Sequence, residues 1–376
     1  VIRLTIPSIE EDDIQAVSDV LRSSYLVQGL QVKTFEEKVA DYVGTHYAIA
    51  VSSCTAALHL ALLALGVQPG DLVVVTAYSW ISTANVIELC GASPVFIDIQ
   101  PDTFNLDPAC LAATLKKLMT DSETAKRVKA ILPVHTFGQM ANMPEILDIA
   151  NQYNLPVVED AACALGATLS RKQAGSWGAM SCFSFHPRKA ITTGEGGIIT
   201  TNDATLVRKL KALRNHGMDP ESSSIDFIMP GFNYRMTEFQ AALGLSQMDK
   251  LDRIITKRRN LAANYNRLLQ DTSIRPPMVG IDSYPVYQSY VVLLPELLAQ
   301  SKQLLIQQLR NQGIETTIGT YHMPLTTYFR SQYNYQKGDF PVTDKVFNQS
   351  LTLPLCENLA IEECSQVVDR LLGYQA

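Results

Sequence analysis

An α/β fold built on a mostly parallel sheet is predicted by three features of the sequence. Short, unbroken apolar runs such as Leu72-Val73-Val74-Val75 recur along the chain, as strands buried on both faces require. Stretches with helical spacing separate them, so β and α segments alternate. Hydrophobic residues make up 47% and charged residues 18% of 376, a composition that excludes a wholly disordered chain.

The first forty residues read as two amphipathic helices, 9–22 and 32–43, parted by the turn Val27-Gln28-Gly29-Leu30. Residues 55–65, rich in Ala and Leu, form a helix stopped by Gly66. Pro69-Gly70-Asp71 turns the chain into the strand 72–75, and 94–97, 130–134 and 156–158 repeat its pattern. Helices at 108–119 and 143–153 lie between, and two more strands are expected at 178–185 and 197–201. The helical stretch from Thr237 to Leu269 exceeds the ordinary length, so a kink or break inside it is expected. Arg275-Pro276-Pro277 ends it, and the remainder reads as a smaller α+β unit. Length alone suggests two units, and we divide the chain into 1–250, a large α/β domain, and 251–376, a small α+β domain.

Charge and cysteine usage narrow the function. The formal net charge is −6, and the 31 basic residues are scattered, so no nucleic-acid partner is expected. No apolar run is long enough to span a membrane, and Val1 to Pro7 lacks signal-peptide order, so a cytoplasmic protein is expected. The seven cysteines have no Cys-x-x-Cys pair and the six histidines no i, i+4 pair, so neither a disulfide framework nor a metal is expected.

Four segments and one aromatic carry candidate chemistry, because ligands of open parallel sheets bind at the carboxyl ends of strands. Val51-Ser52-Ser53-Cys54-Thr55-Ala56 opens a helix, where free amides can cradle a phosphate, although Ser53 or Thr55 could simply cap it. Glu159-Asp160 ends an apolar strand. Asp160 could hold a ring nitrogen charged, or serve as an ordinary strand-end acid. Lys189 sits among aromatics, threonines and glycines, where a desolvated amine could act as a Schiff-base nucleophile or lie on a surface loop. Gly231 to Thr237 precedes the long helix, with Thr237 and Gln240 spaced as a capping box and Asn233 and Arg235 free for an anion or a neighbouring subunit. Trp80 could be core or could stack on a planar cofactor.

The ordered set of motifs resembles the DegT/DnrJ/EryC1/StrS family of pyridoxal-phosphate-dependent nucleotide-sugar aminotransferases. It runs from Pro7-Ser8-Ile9 and the Gly29 turn through Ser52 to Leu58, Pro69-Gly70-Asp71 and Pro133-Val134-His135 to Gly138-Gln139. It continues with Glu159 to Ala162, Ser184 to Lys189, Gly231 to Met236, Gly338 to Pro341 and Leu353-Pro354.

The resemblance implies a fold-type I transferase with a seven-stranded, mostly parallel sheet and a homodimer with shared active sites. It implies that Lys189 binds pyridoxal phosphate covalently, Asp160 pairs with the pyridine nitrogen and Trp80 stacks on the ring. Cys54, Thr55 and Ser184 would hold the phosphate, with Asn233 reaching it from the partner. Cys163 would lie beside the cofactor, where relatives carry a longer polar residue that contacts the ring oxygen. His186, Tyr321 and His322 would belong to the sugar pocket. The implied reaction moves an amino group, from glutamate as the expected donor, to a nucleotide-linked keto-sugar in polysaccharide or secondary-metabolite biosynthesis. The run from Lys189 to Gly197 is most similar to perosamine-type enzymes, which aminate C4 of a 4-keto-6-deoxy hexose. Two other readings are weighed against it. A related dehydratase would carry His in place of Lys189, and a sensor that merely kept the fold would be expected to lose Lys189 or Asp160.

Overall fold

A computed structural model describes residues 1–374; positions 375 and 376, the end of the expected C-terminal unit, lie outside the described residues. Seven strands form the main sheet: β1 Tyr47–Val51, β2 Leu72–Thr76, β3 Ser93–Ile97, β4 Val128–Leu132, β5 Val158–Asp160, β6 Met180–Ser184 and β7 Gly197–Thr201. Two hydrogen-bonded groups, β1-β7-β6-β5 and β3-β2-β4, are joined by parallel bridges Ile131↔Val157 and Val134↔Asp160. The order across the sheet is therefore β3-β2-β4-β5-β6-β7-β1, and β7 alone runs against the rest. The expected mostly parallel sheet is present. Its one strand not read from the sequence is β1.

The unbroken apolar runs follow from burial on both faces. Along β2, Leu72 and Val74 enter the core beneath Phe35, Leu111 and Ile146, while Val73 and Val75 enter the core under Leu58 and Ile87. Successive side chains of a strand point to opposite faces, so both parities must be apolar. Helices α1 (Glu11–Ser23) and α2 (Leu30–Val43) precede the sheet, and α3 (Cys54–Ala64) and α4 (Ser82–Leu89) pack on one face.

The start of α2 is closed from far along the chain. The Glu238 carboxylate accepts from the amides of Gly29 at 2.7 Å, Gln31 at 2.9 Å and Val32 at 3.0 Å. A negative group here satisfies amides that have no acceptor within the helix. The long helical stretch is broken, as expected, into Glu238–Met248 and Leu251–Leu269. At the break, Lys250 reaches back to Asp12 at 2.6 Å and Asp13 at 2.8 Å in the acidic first turn of α1.

Beyond residue 280, Tyr290–Leu293, Ser350–Leu353 and Thr317–Ile318 form a small antiparallel sheet. It shares a separate core with Leu261, Tyr265, Leu305 and Val367. The first residues of the chain lie against this layer: Ile2 bridges Ile314, and the Leu355 amide donates to the Leu4 carbonyl at 3.2 Å.

Candidate active site

A cavity of about 620 Å³ lies where β1, β5 and β6 end. Cys54 and Thr55 face it from the start of α3, Trp80 from the turn before α4, and Asp160 and Cys163 from the end of β5. Ser184 enters it from the end of β6, and His186 and Lys189 from the loop beyond. Segments separated by more than a hundred residues thus meet in one space, as expected for the carboxyl edge of a parallel sheet.

The floor is the first turn of α3. Ser53 Oγ accepts from the Ala56 amide at 3.1 Å and the Ser53 carbonyl from Ala57 at 3.0 Å. The Cys54 and Thr55 amides come before any intrahelical acceptor and remain available to an anion. Gly197 makes this turn possible. A Cβ there would sit 2.4 Å from the Ser53 carbonyl carbon and 2.5 Å from the Cys54 nitrogen. Burial pushes the Cys54 thiol well up, so it stays neutral beside that anion site.

Glu159 and Asp160 divide their duties. Glu159 is buried on the face away from the cavity, where its carboxylate accepts from the Gly175, Trp177 and Gly178 amides and the Ser181 hydroxyl. His135 Nε2 lies 2.8 Å from it, while His135 Nδ1 accepts from the Ala141 amide. The proton therefore sits on Nε2, which donates to Glu159. Burial pushes the Glu159 carboxyl up, but His135 and the other donors outweigh it and hold it below its ordinary value.

Asp160 faces the cavity. Its Oδ2 accepts from Thr83 Oγ1 at 2.7 Å, and its Oδ1 from the Ala162 amide at 3.2 Å. Burial raises its carboxyl above the ordinary value, against the pull of Thr83, Ala162 and Lys189. A cation placed against it would restore the charged form.

Lys189 extends from a loop whose turn is closed by its own amide donating to the His186 carbonyl at 2.8 Å. Its Nζ donates to Cys163 Sγ at 3.1 Å. Burial pulls the ammonium's affinity for its proton down, but Cys163 and Asp160 outweigh it and leave it above the ordinary value. The indole of Trp80 is 57% exposed, and its ring meets Tyr321 edge-on at 5.5 Å. Together these groups can bind a planar aldehyde carrying a phosphate, hold a ring cation at Asp160 and form a covalent bond at Lys189.

Three of the sequence-predicted residues lie outside the cavity lining. Tyr321 approaches only through Trp80. Asn233 Oδ1 accepts from Arg235 Nε at 3.0 Å on the outer surface. His322 is buried, 3.2 Å from Asp344 and edge-on to Phe340 and Phe347. The sequence reading missed Thr83 and Gln288. Thr83, four residues after Ser79 at a helix start, carried a local signal, since Ser79 Oγ and Thr83 Oγ1 are 3.1 Å apart. Gln288 carried none.

The family model described as the DegT/DnrJ/EryC1/StrS aminotransferase family matches residues 7–372. The GDP-perosamine synthase of Caulobacter vibrioides is 41% identical over 318 residues, covering 84% of this chain and 83% of that protein. The UDP-4-amino-4-deoxy-L-arabinose–oxoglutarate aminotransferase of Shewanella sediminis is 34% identical over 380 residues, covering 96% and 95%. Among solved structures, Helicobacter pylori PseC, an aminotransferase involved in pseudoaminic acid biosynthesis, superposes with a TM-score of 0.91 at 28% identity, covering 99% of this chain and 98% of that one.

Proposed function

Because this chain belongs to the DegT/DnrJ/EryC1/StrS aminotransferase family, whose members are pyridoxal-phosphate-dependent sugar aminotransferases, we propose that it aminates C4 of a nucleotide-linked 4-keto-6-deoxy hexose with nitrogen from glutamate. The observation that carries this reading is the joint placement of Lys189, Asp160 and the open first turn of α3 around one cavity. The choice of C4 is supported by the perosamine synthase and 4-amino-arabinose relatives.

The donor set fits pyridoxal phosphate. When bound, it supplies an aldehyde for an amine and a ring that takes up the electrons freed when a Cα–H bond breaks. The Cys54 and Thr55 amides with Ser184 hold its phosphate, and Trp80 offers a flat face to its ring. Asp160, kept in a buried site, is the counter-ion for the ring nitrogen. Lys189 holds the aldehyde until the donor's amine replaces it. Freed, its Nζ takes the proton from the donor's α-carbon and returns one to the carbon that was the sugar ketone. His186 and Tyr321, at the outer rim, fit contacts to the sugar.

Asn233 faces outward, which supports a homodimer in which it completes the partner's phosphate site. In this reading the units 1–250 and 251–376 form the two walls of each site. Every described cysteine is free, which supports action in the reducing cytoplasm.

The test is the visible absorbance of the protein loaded with pyridoxal phosphate. Wild type should show a band that bleaches with glutamate, and Lys189→Ala should lose that response. A panel of 3-keto and 4-keto nucleotide sugars then decides the position aminated. A protein that neither takes up the cofactor nor responds to glutamate refutes the reading.

A further inference from the structure

Arg258 is buried, 2% exposed, in the middle of the helix Leu251–Leu269. Among the described residues no carboxylate lies within ion-pair reach of it. Its Nη1 donates to the carbonyls of Tyr287 and Gln288, each at 3.2 Å, and its Nε is buried without a partner. Glu357 acts on it only from beyond ion-pair distance, and burying a guanidinium with no directly paired carboxylate is costly, so an apolar side chain would fill the same space at lower cost.

The two carbonyls belong to a strained segment. Tyr287 has φ +48°, a left-handed conformation that a bulky residue adopts only under constraint. In extended backbone, successive carbonyls point in opposite directions; here two neighbours converge on one nitrogen. The same segment is pinned on its other side, where the Val286 amide donates to the Gly138 carbonyl at 3.0 Å.

The segment meets the active-site loop. Gln288 lines the cavity, and its Nε2 donates to the Arg188 carbonyl at 2.8 Å. Lys189 is the next residue. Its own amide bonds within the loop, to His186. Among the described residues, Gln288 makes the one hydrogen bond from a distant part of the chain to the backbone of 187–191.

We propose that Arg258 is a positioning residue: by holding the Tyr287 and Gln288 carbonyls it aims the Gln288 amide at Arg188 and so fixes where Lys189 stands. This deepens the function proposed above and rests on it. The path is Arg258 to Gln288 to Arg188 to Lys189, and no member of it before Lys189 exchanges a proton or a covalent bond.

The experiment compares Arg258→Met, Arg258→Lys, Gln288→Ala and the Met/Ala double variant. Arg258→Met removes a buried charge, so its melting temperature should hold or rise, while the glutamate half-reaction slows about tenfold, equivalent to roughly 1.4 kcal/mol. Arg258→Lys keeps a charged donor and should regain most of that loss. The double variant should be no slower than Gln288→Ala, because both changes cut one path. Amide hydrogen exchange at 187–191 in the cofactor-free protein should speed up in Arg258→Met and Gln288→Ala alike. Unchanged exchange, or losses that multiply in the double variant, would overturn the proposal. If Arg258→Met does not fold, Arg258→Lys and Gln288→Ala decide by the same two readouts. If wild type fails to transaminate any substrate, the functional reading falls while the exchange data still judge Arg258.

Discussion

Glu159 and Asp160 are neighbours on one strand, and their carboxylates lie on opposite sides of the sheet. One is enclosed by backbone amides, Ser181 and His135; the other opens onto the cavity. A pair that could pass for a catalytic dyad is one structural clamp and one site residue.

Glu159→Gln should therefore cost stability more than chemistry. An amide would turn two donors toward groups that themselves donate, a loss of about 3 kcal/mol in urea denaturation. The folded carboxyl is held below its ordinary value of 4.5. Its contribution is thus fully present above that value and lost as pH falls through the lower, folded one. The variant should lack this part of the acid dependence. A denaturation curve with the same stability and acid slope as wild type would exclude the clamp.

Thr83→Val should act through Asp160. The hydroxyl favours the carboxylate, whose affinity for a proton is already raised by burial. Without it the acid limb of the pH–rate profile should move to higher pH, and kcat at neutral pH should fall about tenfold, the scale of a hydrogen bond to a charged group. An unshifted limb would show that Thr83 only packs.

Cys163→Ala removes the contact that, after burial is counted, does most to keep Lys189 protonated. The lysine's affinity for its proton should fall, and more of it should be neutral at a given pH. Cofactor-free Cys163→Ala should then take up pyridoxal phosphate faster than wild type near neutrality, with Cys163→Ser in between. Stopped-flow absorbance reads the rates, and equal rates across the three would discount the contact.

Gly197→Ala probes the anion cradle. The added methyl meets backbone at 2.4 Å, and backbone cannot swing aside as a side chain can. The variant should be destabilised by about 1–3 kcal/mol and should lose affinity for pyridoxal phosphate more than for the sugar substrate. Unaltered cofactor affinity would separate the cradle from phosphate binding.

The sequence was most legible where one local rule settles a structure. The run 72–75 could be read as a strand because burial on both faces leaves no polar position, and the 237–269 stretch as kinked or broken because of its length. Strand β1, Tyr47-Ala48-Ile49-Ala50-Val51, escaped because two alanines weaken its pattern and it begins just after a helix ends. The candidate residues that share the cavity were found through motifs at strand ends. Thr83 was within reach of that logic. Gln288 and Arg258 were not, since their roles exist only once helix 251–269 packs against the 286–289 segment. The burial of His322 was likewise not legible, because proximity in sequence to Tyr321 says nothing of which side of a strand it faces.

The contact between Leu4 and Leu355 sets the order in which this protein can become an enzyme. Both residues border the cavity, so its rim joins segments about 350 residues apart in sequence. During synthesis the lysine, the aspartate and the α3 turn all emerge while the pocket still lacks a wall. Cofactor capture should therefore lag until residue 355 has left the ribosome. The yellow colour of a loaded chain then becomes a marker that the segment around residue 355 has docked, and a chain cut back to residue 349 should stay pale although every residue proposed to touch the cofactor is present.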